Sequence, residues 1–286
     1  MRDPDSPLAR APRTTGELLS LLRADDDYLE HQPDTLAVLL WRSGSEEFDA
    51  ARALARSASA LDRVIAADIL AQFGWDVAER LDESVAILIG MLSDPDERVL
   101  RAVGVALGHR RSPVAIPALL GLASHPSADV RFGVVCGLSG HDRPDAIAAL
   151  IALSRDPDLD VRNWATFGLA SMVSTDTPDL RDALLQRTED ADGEVRGEAL
   201  IGLAARRDPR VLPALRHELA GQFCGDWCVE AAELLADASL RDALLALRAR
   251  LGPADEAAFA TSFDAAIKAC SPGSPLGALT SAKVRR

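Results

Sequence analysis

The sequence predicts an all-α protein, a right-handed solenoid of stacked antiparallel helix pairs, on three observations. The segments SPVAIPALLGL, RPDAIAALIAL, TPDLRDALLQR and DPRVLPALRHE repeat one apolar pattern and place Pro113, Pro144, Pro178 and Pro209 at one slot, 31, 34 and 31 residues apart. Eighteen residues after the first three prolines stand Arg131, Arg162 and Arg196, inside SADVRFGVVCGL, DLDVRNWATFGL and DGEVRGEALIGL, and the same offset from Pro209 reaches Trp227. Alanine and leucine dominate, aromatic residues make up 4%, and β-branched runs are short, so propensity favours helix almost throughout. A fixed period carrying two helical segments is the signature of units that bury their apolar faces only against their neighbours.

Taken in order, residues 1–13 read as a flexible leader. Thr14 and Glu17 have capping-box spacing, so a helix starts there and is expected to run through GELLSLLRADDDYLE. With the following DTLAVLLWR it makes an N-terminal helical cap over 14–44. The solenoid then covers 45–270. EEFDAARALARS pairs with LDRVIAADILAQF, DESVAILIGMLS with DERVLRAVGVALG, the four proline-aligned pairs follow, and RDALLALRARL with DEAAFATSFDAAIKAC closes the array. Residues 271–286, SPGSPLGALTSAKVRR, read as a flexible tail.

Each second helix follows one plan. Asp96, Ser127, Asp158 and Asp192 lie three residues before Val99, Val130, Val161 and Val195, where a side-chain oxygen caps first-turn amides. Asp129, Asp160 and Glu194 add charge where the helix dipole favours an anion. Gly137, Gly168 and Gly202 recur at one slot that Ala106 also fills, which asks for a small side chain at a close helix contact. The initial prolines suit a first helical turn. Pro117 and Pro213 fall further in, so either that helix bends or a distorted turn precedes it.

DPDERVLRAVGVALG, SADVRFGVVCGLSG, DPDLDVRNWATFGLAS and DADGEVRGEALIGLAAR resemble HEAT repeats of the short bacterial type related to those of phycobilin lyases, within the wider HEAT/armadillo class. The resemblance covers residues 45–270 and is strongest over 78–206. It implies a scaffold with partner binding, in a family holding both enzymes and non-enzymes. It also implies a ladder in which an acid and an arginine of each second helix link neighbouring repeats, here Asp129 with Arg131, Asp160 with Arg162 and Glu194 with Arg196. The pattern departs at Leu100, beside Arg101, and at Cys228.

The net charge of −13 disfavours a general nucleic-acid surface, which needs cations to offset phosphate. Cys136, Cys224, Cys228 and Cys270 make no dense disulfide framework, and the apolar runs TLAVLLW and SVAILIGML are too short to cross a bilayer, so a cytoplasmic protein with no membrane contact is expected. HExxH, GxxxxGK[ST], GxSxG and paired CxxC are absent. No catalytic residue, cofactor or metal is assigned. His217, Cys224 and Cys228 are the compact metal-capable group, with ordinary packing the simpler account.

Trp164, Phe167 and Arg162 are candidates for protein binding, against the alternative of a structural aromatic seam. Asp25, Asp26 and Asp27 are a second candidate, against a simply solvated cluster. The basic runs ALGHRRS and LAARRDPR close second helices, where cations complement the dipole. The expected function is a non-enzymatic interaction scaffold or adaptor whose partner is another protein or peptide, an inhibitor or immunity-like partner of a basic protein being one form of it. The alternatives are a bilin- or cofactor-handling enzyme, and a repair protein resembling bacterial alkylpurine DNA glycosylases through Asp158, Arg162 and Trp164.

Overall fold

The computed structural model describes residues 13–42, 44–72, 78–221 and 226–271. Residues 1–12 of the expected leader, 272–286 of the expected tail, Trp75 and Cys224 lie outside them. The chain divides into two compact units, Met1–Gly140 and His141–Arg286. Each is built from antiparallel helix pairs stacked through their second helices, an all-α solenoid architecture.

In the first unit α1 (Thr15–Arg23) opens on the expected capping box, Thr14 and Glu17 each bonding the other's amide. The expected long helix ends early, however. After Ala24 the chain turns and restarts as the single-turn α2 (Tyr28–His31), because Asp25 accepts from the amide of Asp27 at 3.0 Å and so offers the backbone a local alternative to the helix. Helix α3 (Pro33–Arg42) follows, then the pairs α4 (Ser45–Leu54) with α5 (Ala60–Gln72) and α6 (Ala78–Met91) with α7 (Glu97–Arg110). The unit closes with α8 (Ile116–Leu120) and α9 (Ala128–Leu138). Its core runs along Ile65, Val99, Val103, Leu107, Val130, Val134 and Leu138, all buried.

The second unit pairs α10 (Pro144–Leu153) with α11 (Leu159–Phe167) and α12 (Pro178–Arg187) with α13 (Gly193–Ala205). After these come α14 (Leu212–Ala220) with α15 (Trp227–Leu235), and α16 (Arg241–Arg248) with α17 (Pro253–Ala269). Val161, Ala165, Leu169, Val195, Ala199 and Leu203 form the stripe that its second helices bury.

Pro144 and Pro178 begin their helices, where a missing amide costs nothing. The inner prolines resolve the two options their position left open. Pro113–Ala115 and Pro209–Val211 are short 3-10 turns, and the α-helix starts afresh one residue before Pro117 or Pro213. Each inner proline thus sits in a first turn after all. Asp96, Asp158 and Asp192 cap α7, α11 and α13 through their side chains. Ser127 occupies the cap position of α9 without a side-chain cap bond, and its amide donates to His125 Nδ1 at 3.2 Å instead.

Candidate functional site

One stripe of α11 faces away from the core. On α11 this stripe is Asp160, Asn163, Trp164 and Phe167, spaced i, i+3, i+4 and i+7. On α13 the same register reads Glu194, Gly197, Glu198 and Ile201, of which Gly197 and Ile201 are buried. Asn163 Nδ2 donates to Glu194 Oε2 at 3.1 Å, which fixes the two stripes side by side.

Trp164 is 44% exposed, and its ring meets Phe167 edge to face, with centroids 5.7 Å apart and planes at 83°. A seam residue would be covered; this indole is a half-exposed aromatic surface. Beyond α13, Trp227 lies over Gly197, where an added Cβ would stand 2.8 Å from its Cγ and Cδ2. Two tryptophans therefore bracket a helix that carries Glu194 and Glu198. Directly after Phe167 the backbone widens into a π-turn over Gly168–Met172, so the buried Gly168 begins a change of helical pitch rather than continuing the α-helix. Such turns interrupt helices frequently at functional sites.

Arg162 is absent from this surface. Its Nη1 donates to the carbonyls of Asp156 (2.9 Å) and Pro157 (3.4 Å), and its Nε to Asp190 Oδ2 (3.0 Å), so the guanidinium is committed inside the repeat joint. Arg131 likewise donates to His125 and Pro126 carbonyls. Arg196 donates to the carbonyls of Asp190 and Ala191 and to Glu218 Oε1 at 2.7 Å. Arg63 repeats the arrangement with Ser57, Ala58 and Asp94.

The arginines thus hold their own inter-helix loop and, where an acid is in reach, a following loop or helix. The acid and the arginine of one second helix turn to different neighbours: on α13 the arginine reaches the following repeat and the acid the preceding one. The carboxylates that Arg63, Arg162 and Arg196 reach are Asp94, Asp190 and Glu218. Asp129 lies instead 3.7 Å from Arg101, Glu194 accepts from Asn163, and Asp160 is exposed. The missed acids carried a signal. Asp94, Asp156 and Asp190 stand two residues before the caps and accept the cap amides at 2.9, 2.9 and 3.1 Å, and His125 replaces them in the α8–α9 loop.

Since Arg162 and Asp190 are both mostly buried, Arg162→Met is expected to destabilise the protein by about 1–3 kcal/mol. A double-mutant cycle with Asp190→Asn in urea should return a coupling of at least about 0.5 kcal/mol. Additive losses would remove this pair from the joint.

Elsewhere, Asp25 is half-buried and spends its carboxylate on the Asp27 amide and on His31 Nδ1 (3.0 Å), while Asp26 and Asp27 are exposed. Asp27, Glu30 and His31 bring ligand atoms within 4.8 Å of one another on the surface of the four-residue α2. Of the sequence-derived metal group, Cys228 is buried and His217 exposed. Burial pushes the thiols of Cys136 and Cys270 up to about 11, the opposite of what a nucleophile needs.

The described helices include none long and apolar enough to cross a membrane. A family model described as HEAT repeats matches residues 48–139, 85–170 and 147–222, more than half of the chain. The chain belongs to the HEAT-repeat family. Among solved structures, this HEAT-repeat protein is similar to YibA of Escherichia coli, with 27% identity and a TM-score of 0.66 over 91% of this chain and 97% of that one. It is similar in fold to an engineered protein, with 18% identity and a TM-score of 0.50 over 90% of this chain and 78% of that one. A further match is the complex of CpcE and CpcF of phycocyanin lyase from Nostoc sp. PCC7120, with 18% identity, a TM-score of 0.48, and coverage of 92% of this chain and 98% of that one. No curated protein matches the sequence.

Proposed function

We propose that this HEAT-repeat protein is a non-enzymatic interaction scaffold whose partner is a basic protein or peptide, the inhibitor or immunity-like role being one form of such binding. The observation that carries this reading is the half-exposed Trp164, seated with Phe167 on a stripe that also carries Asp160 and lies beside Glu194 of the next second helix. Large aromatics at the centre of a surface patch supply most of the energy of many protein interfaces. Negative charge around them speeds encounter with a cationic partner. Asp26 and Asp27 provide a second acidic surface in the first unit.

The test is affinity capture from a lysate of the source organism, with the full chain and Trp164→Ala as parallel baits. The expected result is a stoichiometric protein that the wild type retains and the variant loses. Failure of the wild-type chain to retain any protein would overturn the scaffold reading.

A further inference from the structure

Five residues after each loop-holding arginine comes one slot of the second helix. Behind Arg131, Arg162 and Arg196 it holds Cys136, Phe167 and Ile201, and behind Arg63 it holds Asp68. A carboxylate thus stands where later repeats carry uncharged side chains. What it meets is Tyr28, the only tyrosine of the chain, which is 1% exposed and donates its hydroxyl to Asp68 Oδ2.

This contact holds α2 in place. Helix α1 is tied to the first pair separately, Thr15 Oγ1 donating to Glu47 Oε1 at 3.0 Å and Arg23 Nε to Asp62 Oδ1 at 2.5 Å. Helix α2 has four residues, too few for a helix to persist on its own, and Tyr28 is the one side chain it buries.

Two groups act on the half-buried Asp68 carboxylate, the Tyr28 hydroxyl and, from α7, the Arg101 guanidinium, and both favour its charged form. Burial opposes them and prevails, holding the carboxyl up at about 6. Burial and the Asp68 charge raise the phenol in turn, so it keeps its proton at neutral pH and remains the donor. The other elements packed on α5 bring charges engaged elsewhere. Arg23 of α1 is bound to Asp62, Glu47 of α4 accepts from Thr15 and Gly44, Arg80 of α6 lies over the Phe48 ring, and Arg42 of α3 donates to the Arg13 carbonyl. On α2 itself His31 is bonded outward, to Asp25.

We infer that Tyr28 and Asp68 form a proton-operated latch, in which a proton on Asp68 holds the α2 turn closed on α5 and its loss loosens the turn together with the exposed Asp26, Asp27 and Leu29 around it. Opening the turn returns the carboxyl to water, where it gives up its proton more readily. Closure is therefore favoured by acid. The added stability is full below the carboxyl's ordinary value and is lost as pH rises through about 6. The latch acts whether or not a partner is present.

Hydrogen exchange of the full chain, read as protection factors at the amides of Glu30, His31 and Gln32, tests the latch. The opening equilibrium of the turn is expected to be about tenfold larger at about pH 7.5 than at about pH 5. The Asp68 carboxyl resonance should titrate near pH 6. Asp68→Asn, a neutral stand-in for the protonated acid, should abolish the pH difference and keep the turn closed at both values. Tyr28→Phe removes a donor that favours the charged form and should move the Asp68 midpoint up, a shift that a merely space-filling tyrosine would not produce. His31→Gln removes the other titrating side chain of the turn and should leave the pH difference in place.

Equal protection at the two pH values, an Asp68 midpoint below about pH 5, or a pH difference that survives Asp68→Asn or disappears in His31→Gln would overturn the latch. If Asp68→Asn fails to fold, the titration of wild type and Tyr28→Phe decides. A midpoint near 6 that Tyr28→Phe raises supports the latch, and one that Tyr28→Phe leaves unmoved refutes it.

Discussion

Replacing Arg206 with methionine is expected to destabilise the protein by about 3–5 kcal/mol, the range for removing one member of a buried charged network. The side chain is 8% exposed and its two terminal nitrogens donate to five carbonyls. Nη1 reaches Ala170 and Gly202 at 3.0 Å each. Nη2 reaches Leu169 at 2.9 Å and Val173 and Thr175 at 3.2 Å. These oxygens belong to the π-turn, to the segment after it and to α13, so one guanidinium ties the end of one second helix to the next. Burial holds its pKa below the usual arginine value, yet arginine starts so high that the group remains a cation at neutral pH.

Methionine fills the stem's volume and supplies no donor, which leaves several partly buried carbonyls unsatisfied. Arg206→Lys keeps the charge but loses the planar fork, and should recover only a fraction of the loss. Urea unfolding monitored by circular dichroism measures both. A loss below about 1 kcal/mol for Arg206→Met would show that water replaces the guanidinium at no great cost.

The same residue shows what could be read from sequence. Cations at the end of a second helix were expected to complement that helix's own terminus, and Arg206 does so at Gly202. Its contacts with Leu169 and Ala170, and Arg110's bond to the Leu70 carbonyl at 2.5 Å, run to the preceding repeat. Helical spacing describes one helix at a time and contains no term for the neighbour's carbonyls.

Periodicity did locate the pairs, the caps at Asp96, Asp158 and Asp192, and the buried valines, because each depends on local geometry repeated at a fixed interval. The acid partners of the ladder arginines needed one further comparison. Aligning SDPDERV, SHPSADV, RDPDLDV and EDADGEV puts Asp94, His125, Asp156 and Asp190 in a column, two residues before the cap. For Trp164 the sequence leaves binding surface and aromatic seam both open, and its exposure does not follow from one helix alone, since Gly197 and Trp227 on later helices help shape the surface beside it.

Gly133→Val is expected to unfold the first unit or cost it several times the roughly 1 kcal/mol by which a mid-helix glycine is penalised. Of the three glycines predicted to be tight, Gly137, Gly168 and Gly202, two meet close neighbours: an added Cβ on Gly137 would meet Leu119 Cδ1 at 2.8 Å and one on Gly202 would meet Ala170 Cβ at 2.7 Å. The α7–α9 joint is closer still, and it is made by glycines outside that slot. A Cβ on Gly133 would stand 2.7 Å from the Arg101 carbonyl oxygen and 3.0 Å from Arg101 Cα, while one on Gly104 would strike the backbone of Gly133. Main chain cannot rotate aside as a leucine tip can, so relief requires the two helices to part, and parting them opens the core in which Val99, Val103 and Val130 are buried.

Gly133→Ala adds only the first carbon. Its gain in helix propensity, about 1 kcal/mol, opposes a packing loss of about 1–3 kcal/mol, so a smaller net destabilisation is expected. Gly90 provides the control. It lies in α6 with nothing within 4 Å of an added Cβ, and Gly90→Ala should stabilise by about 0.5–1 kcal/mol. Thermal and urea unfolding of the three variants distinguishes the cases. Gly133→Ala and Gly90→Ala shifting in the same direction by similar amounts would mean that α7 and α9 separate at little cost, and that small residues in this joint reflect no close approach of backbones.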